Sequence, residues 1–427
     1  MTISQHPETE LTGIGVSREV QNFYDQFPYP RPIDDLESYQ RLWNDRQKRM
    51  ADFHLFWPAE SYREDFSILV AGCGTSQAAK YAMRWPQAQV TGIDFSARSL
   101  SRTEDLKRKY DLGNLQVQQL PVEQAGELSK TFDQIVCTGV LHHLVDPDVG
   151  LKALRSVLNP DGAMHIMVYA PYGRTGIYML QEFSKRLGIS ASEEAVRDLT
   201  EALKVLPPGH PLESILRVAP DFGDEGELAD ALLHPQDRAY SVPQFFDFLQ
   251  RSDLTFGRWI REAPYSSKCG VVASLPQARQ MAKLSFEELY AAVELFRGTM
   301  VRHSAVVYRD ENFAGRQRID FARDGWLEYI PIRNEGTVCV LDRLPRGSAA
   351  VLINRAHTFR DLFLPIDAMQ KRLFDAIDGK RSIGDIVQVT SSSPGGTASV
   401  DQACTFFEQL WWQDQVVFDA SRIPSAV

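Results

Sequence analysis

The sequence predicts an α/β fold, a doubly wound and mostly parallel sheet, and three observations carry that prediction. Ile68, Leu69 and Val70 form an apolar run of the length that fills a parallel strand covered on both faces. Gly72 and Gly74 supply the tight turn that follows, because a residue without Cβ lets the backbone bend sharply and approach a ligand closely. A second strand, Val90-Thr-Gly-Ile-Asp94, ends on a carboxylate about 20 residues beyond the turn, where dinucleotide-binding folds hold a ribose hydroxyl. Between them, Ser76 can cap a helix over Gln77 to Met83, leaving free amide groups along the turn. Asp94 is therefore the expected ribose ligand.

The turn has no third glycine and no P-loop lysine, which excludes the usual pyrophosphate cradles. Taken alone, Gly-x-Gly is a weak signal, with a plain strand-to-helix turn as its alternative. The following segments narrow the reading: Leu115-Gln-Val-Gln-Gln-Leu-Pro121, then Phe132 to Val136 leading into Thr138-Gly-Val-Leu-His-His-Leu144, then Leu158 to Val168. Over residues 60–172 the chain resembles the class I S-adenosylmethionine-dependent methyltransferases. The resemblance implies a seven-stranded sheet and S-adenosyl-L-methionine as cofactor. It places Ala71, Gly72, Cys73 and Gly74 against the methionine and ribose part, Asp94 and Phe95 on the ribose, and Gln119 and Leu120 beside the adenine. Thr138, Gly139 and Val140 follow the fourth strand at the ligand-binding edge. Many members carry an acid in the adenine loop, where this chain has Gln119-Leu120-Pro121. Adenine contact there is expected through backbone and the amide side chain.

At 427 residues the chain is expected to hold two or three units. A net charge of −10 argues against a general nucleic-acid partner, while leaving room for a local basic groove. Cys73, Cys137, Cys269, Cys339 and Cys404 are widely spaced and contain no Cys-x-x-Cys pair, so neither a disulfide framework nor a zinc site is expected. The first residues lack a signal pattern and no apolar run approaches about 18 residues, so the expectation is a cytoplasmic protein without a membrane partner.

Residues 1–60 read as an N-terminal aromatic lid and leading helices. Val20 to Pro32 combines four aromatics with three prolines, which stop a helix near Phe27 and favour an extended segment. It reads as a lid over the cleft or, equally, as a staple that fixes the N-terminus to the core; Tyr24 and Tyr29 are its candidate substrate contacts. Residues 61–275 are the expected core. Ala97 to Tyr110 interleaves apolar and basic residues, a helix with a solvated face. His142 and His143 follow the fourth strand. Neutral imidazole has a pKa near the operating pH and can take a proton as methyl is transferred; the alternative is that the pair only positions cofactor. No metal is expected, because no carboxylate or third histidine lies at helical spacing to them. Tyr169 joins them as a catalytic candidate at the end of the fifth strand, with Tyr172 and Arg174 as substrate contacts just beyond.

Residues 173–250 carry helical periodicity in Ile177, Leu180, Phe183 and Leu187, then a capping box at Ser241-Val-Pro-Gln244, and read as a helical cap inserted over the cleft. The polar loop His234 to Tyr240 offers Asp237, Arg238 and Tyr240 to a substrate, or else is an ion-paired helix cap. Leu254–Ile260 and Gly270–Ala273 are the candidate closing strands. Residues 280–427 read as a smaller α+β domain. Between about 360 and 420, three helices and a strand resemble a winged helix and are similar to the small peptide-binding domains of modified-peptide biosynthesis. Nine acids against six bases over residues 360–422 argue against duplex binding and for a protein contact, as a homodimer or a held peptide. The expected function is transfer of methyl to an O, N or S nucleophile of a small molecule. One alternative is a protein or peptide side chain held by the C-terminal domain; the other is a non-catalytic S-adenosylmethionine sensor or scaffold.

Overall fold

The computed structural model describes residues 18–27, 33, 35–216, 225–391 and 399–423. Seven strands, β1 (Ser67–Ala71), β2 (Gln89–Asp94), β3 (Leu115–Gln119), β4 (Phe132–Thr138), β5 (Leu158–Tyr169), β6 (Thr255–Trp259) and β7 (Arg302–Tyr308), form one sheet. Their order is β3-β2-β1-β4-β5-β7-β6. The first five run parallel and β7 is antiparallel to both its neighbours. Ile68 and Val70 point into one apolar layer with Val90 and Val136, and Leu69 and Ala71 into the other with Ile93 and Ile135. That is why the β1 run has no polar alternation: both faces are covered, and burying Ile68, Leu69 and Val70 contributes about 1.5–3 kcal/mol each. Strand order reverses at β1, which opens a crevice at the carboxyl ends of β1 and β4.

The closing strands differ from the expectation in one place. Leu254–Ile260 contains β6, but Gly270–Ser274 is a short 3-10 turn, and the remaining position is filled by β7. Gly270 sits at φ +57° and the Asp361 carboxylate accepts the Val271 N–H at 2.9 Å, so this segment bends rather than extends. The sheet therefore draws on residues beyond the expected boundary near 275.

The inserted cap forms its own small core. Helices Thr175–Arg186, Glu193–Lys204 and Glu225–Leu233 bury Ile177, Val196, Leu199, Leu228 and Leu232 together with Phe23 and Phe27. The N-terminal helix Arg18–Gln26 is thus part of the cap. A further helix, Val242–Arg251, begins with Gln244 Oε1 accepting the Ser241 N–H at 2.9 Å.

The C-terminal unit holds a three-stranded antiparallel sheet, β9 (Thr337–Val340), β10 (Ala350–Asn354) and β11 (Phe363–Ile366), and a pair of β8 (Ile330–Arg333) with β12 (Val416–Asp419). Helices Ala368–Asp375, Ile383–Ser391 and Val400–Trp412 pack with these strands around Leu373, Ile386, Phe406 and Phe418. Ala51 of the leading helix Arg46–Phe56 joins that core, and the Ala420 N–H donates to the Pro58 carbonyl at 2.7 Å. No helix among the described residues is long and apolar enough to cross a membrane.

Candidate active site

A cavity of about 430 Å³ opens at the carboxyl ends of β1, β2, β4 and β5. Gly72 and Gly74 lie on its wall at φ +65° and +54°. A Cβ on Gly72 would stand 2.4 Å from Cγ2 of Val140, so glycine is required there by both backbone conformation and space. Asp94 braces the turn: Oδ2 accepts the Gly74 N–H at 2.8 Å and Oδ1 the Ser96 N–H at 2.9 Å. Burial raises its pKa, and these backbone amides pull in the opposite direction. The Phe95 amide bonds the carboxylate as well, so three backbone amides leave one lone pair of the carboxylate for a ligand.

Of the expected cofactor contacts, Gly72, Cys73, Gly74, Asp94, Phe95, Thr138, Gly139 and Val140 line this cavity. Ala71 is fully buried within the sheet. Gln119 and Leu120 are not on the wall, because their loop folds back on β2: Gln119 Nε2 donates to the Phe95 carbonyl at 2.9 Å and the Leu120 N–H to the Asp94 carbonyl at 3.0 Å. Val122 and Glu123 stand in their place. Both Glu123 carboxylate oxygens are buried without a hydrogen-bond partner, and burial pushes the group up to about 7. The acid missing from Gln119-Leu120-Pro121 is thus supplied two positions after the proline, where Glu123 lies in the first turn of the short helix Val122–Leu128.

Tyr24, His143 and Tyr169 also line the cavity. Both phenols reach one buried carboxylate: Tyr24 Oη donates to Asp230 Oδ1 at 3.1 Å and Tyr169 Oη to Asp230 Oδ2 at 3.3 Å. Burial raises the Asp230 pKa, with His143 and the Tyr24 hydrogen bond opposing it. His143 Nδ1 lies 2.8 Å from the Gln236 carbonyl. A carbonyl can only accept, so Nδ1 carries the proton and Nε2 keeps its lone pair. His142 does not reach the cavity; it is fully buried against the Tyr169 ring, 4.0 Å between centroids, and burial drives its pKa well down.

The remaining expected substrate contacts take other positions. Arg174 Nη2 pairs with Asp237 Oδ2 at 3.2 Å while its guanidinium lies 3.5 Å over the Tyr169 ring, so the two hold that ring from behind. Tyr172 and Arg238 are exposed to solvent. Tyr240 is a correction: its ring stacks on Phe248 in the core, 5.1 Å between centroids, and its N–H donates to the Tyr169 carbonyl at 2.9 Å. Tyr29 lies outside the described residues. Sequence reasoning did not single out Asp230, and it named His234 only as the start of the polar loop. It also missed Lys80, Arg84 and Arg302, cations on the cavity wall, of which Arg84 is held by Asp52 at 3.0 Å.

Two trios bring possible ligand atoms within 4.8 Å of one another, His142 with His143 and Asp237, and His143 with Asp230 and His234. Spacing along the chain hid both. Hydrogen bonds and ion pairs already engage some of these atoms. The Gln236 N–H donates to His234 Nδ1 at 3.0 Å, so the neutral ring carries its proton on Nε2 and offers no lone pair there. Burial holds His234 down at about 2, which keeps it neutral. In the other trio, Asp237 already answers the fixed charge of Arg174.

Residues 69–164 match the family of methyltransferase domains. An uncharacterised protein of Synechococcus sp. is 33% identical over 251 residues, 56% of this chain and 59% of that protein. The trans-aconitate 2-methyltransferase of Deinococcus radiodurans is 29% identical over 157 residues, 36% of this chain and 57% of that enzyme. The chain thus spans less than three fifths of the length of these curated relatives. The structure of PKMT2 from Rickettsia typhi in complex with AdoHcy superposes with a TM-score of 0.61 at 14% identity, covering 88% of this chain and 76% of that one, which is a likeness of fold. The crevice at the strand-order reversal, the braced glycine turn and the matched family together identify the core of this chain as a class I, S-adenosylmethionine-dependent methyltransferase domain.

Proposed function

We propose that the chain transfers the methyl group of S-adenosylmethionine to an oxygen, nitrogen or sulfur nucleophile of a small molecule. The observation that carries this reading is His143: its Nδ1–H is fixed on Gln236, and the residue lines the cavity that the glycine turn also lines, with Nε2 left to take a proton. The residues fit the cofactor. The amides of the turn, the remaining lone pair of Asp94 and the two unpartnered oxygens of Glu123 are donors and acceptors suited to a ribose and an amino group. When bound, the cofactor supplies a methyl on a sulfonium, already a good leaving group. The protein's part is then alignment, exclusion of water and removal of one proton. Tyr24 and Tyr169, both tied to Asp230, place the acceptor; the cap and the helix Arg18–Gln26 shield it from water.

The test is transfer of tritium from methyl-labelled S-adenosylmethionine into a cell lysate separated into small-molecule, protein and RNA fractions. Label is expected among small molecules. Label in protein would move the acceptor to a peptide side chain, and bound cofactor without any transfer would leave a sensor.

A further inference from the structure

A second cavity, of about 420 Å³, lies at the free edge of β6 between the sheet and the C-terminal unit. The methyl-transfer reading does not use it, and its volume is that of a small-molecule pocket. Phe256, Phe286 and Tyr290 of the core and Trp411 and Trp412 of the C-terminal unit give it an aromatic wall. One buried cation on that wall is incompletely satisfied. Arg258 Nε donates to the Trp259 carbonyl at 3.0 Å, Nη2 reaches Asp414 Oδ1 at 3.4 Å, and the guanidinium lies 3.9 Å over Trp411. Nη1 is buried and has no partner.

The counter-charge of Arg258 is also shared. The Asp414 carboxylate accepts the Glu262 N–H at 3.0 Å and the Ala263 N–H at 2.9 Å as well. Glu262, an acid on the wall, is pushed up to about 7 by burial and is tied to Tyr290, so it is only partly charged at neutral pH. Lys268 lies 4.8 Å over Trp412, paired with Glu408 at 2.6 Å; Arg318 and Glu311 are exposed at the rim. An open donor on a buried guanidinium is costly, and a carboxylate is the acceptor that its fork geometry suits best.

We propose that this cavity binds a flat aromatic carboxylate, its ring among the aromatic side chains and its carboxylate on Arg258 Nη1. The site is separate from the first cavity. Arg302 and Tyr308, at opposite ends of β7, line the first and second cavities respectively, and that length of strand spans about 20 Å.

The probe is 2-naphthoate, with 2-naphthamide as its uncharged counterpart, titrated calorimetrically into the full chain. One equivalent of 2-naphthoate binds, 2-naphthamide binds about tenfold more weakly, and saturating S-adenosylhomocysteine displaces neither. Arg258→Met abolishes the preference for the carboxylate. Because Arg258 also holds Asp414, Phe286→Ala provides the second variant; that side chain is 46% exposed at the mouth, and its loss weakens both probes while keeping the preference. Equal affinity for the two probes, displacement by S-adenosylhomocysteine, unchanged affinity in Phe286→Ala, or no binding at all would each overturn the proposal.

Discussion

The wall of the first cavity formed by Gly72, Asp94 and Val140 and the wall formed by Tyr24, His143 and Tyr169 are held by different means. The first is fixed by main chain: strand register sets the turn, and backbone amides brace the Asp94 carboxylate. The second is fixed by side chains from separate segments, an N-terminal helix, the loop after β4 and the end of β5, meeting at Asp230 and Gln236 of the cap. A backbone-built wall depends little on which side chains line it. A side-chain wall can be rebuilt one residue at a time, which is how one fold serves many acceptors.

If the two walls divide the labour in this way, variants in one should change affinity for cofactor and variants in the other should change turnover. The largest effect is expected from His143→Ala: kcat falls about a hundredfold or more while S-adenosylhomocysteine affinity by calorimetry is unchanged. A matching loss of affinity would break the division. Gly72→Ala should do the reverse, weakening S-adenosylhomocysteine about tenfold or more through its positive φ and the clash with Val140, with kcat retained at saturating cofactor.

Asp230→Asn should lower kcat about tenfold by loosening two phenols at once. It also has a stability signature. The folded pKa of Asp230 is raised above the unfolded value, so the stability it lends is full below the unfolded pKa and is lost as pH rises through the folded one. Thermal unfolding of Asp230→Asn should lack that decline, and identical pH profiles for variant and parent would remove the buried-carboxylate account. The smallest effect belongs to Glu123→Gln. The parent's affinity for S-adenosylhomocysteine should rise about threefold from pH 6 to pH 8 as Glu123 ionises near 7, and the variant's should stay flat.

The same contrast explains what was legible in the chain. The core fold could be read because Ile68 to Val70, the two glycines and Asp94 act on one another at short range, where periodicity and spacing carry the information. Glu123 escaped because the loop before it folds back on β2, a tertiary choice that leaves Gln119 facing a carbonyl instead of a ligand. Asp230 and His234 escaped because their meaning arises only when the cap closes on Tyr24 and His143. β7 escaped because Ala305 to Tyr308 reads alike as a strand of any sheet, and only pairing with β5 assigns it to this one.

That pairing bears on how the protein is made. During synthesis β1 to β5 emerge first and can assemble in order, but the outer edge of β5 has no neighbour until residues 302–308 leave the ribosome, after the whole cap and β6. Through that interval a long buried strand shows its unpaired amides and carbonyls, the arrangement that invites other chains to add on. A shortened version ending near residue 280 would keep that edge open for good, and a soluble core fragment has to extend past Tyr308.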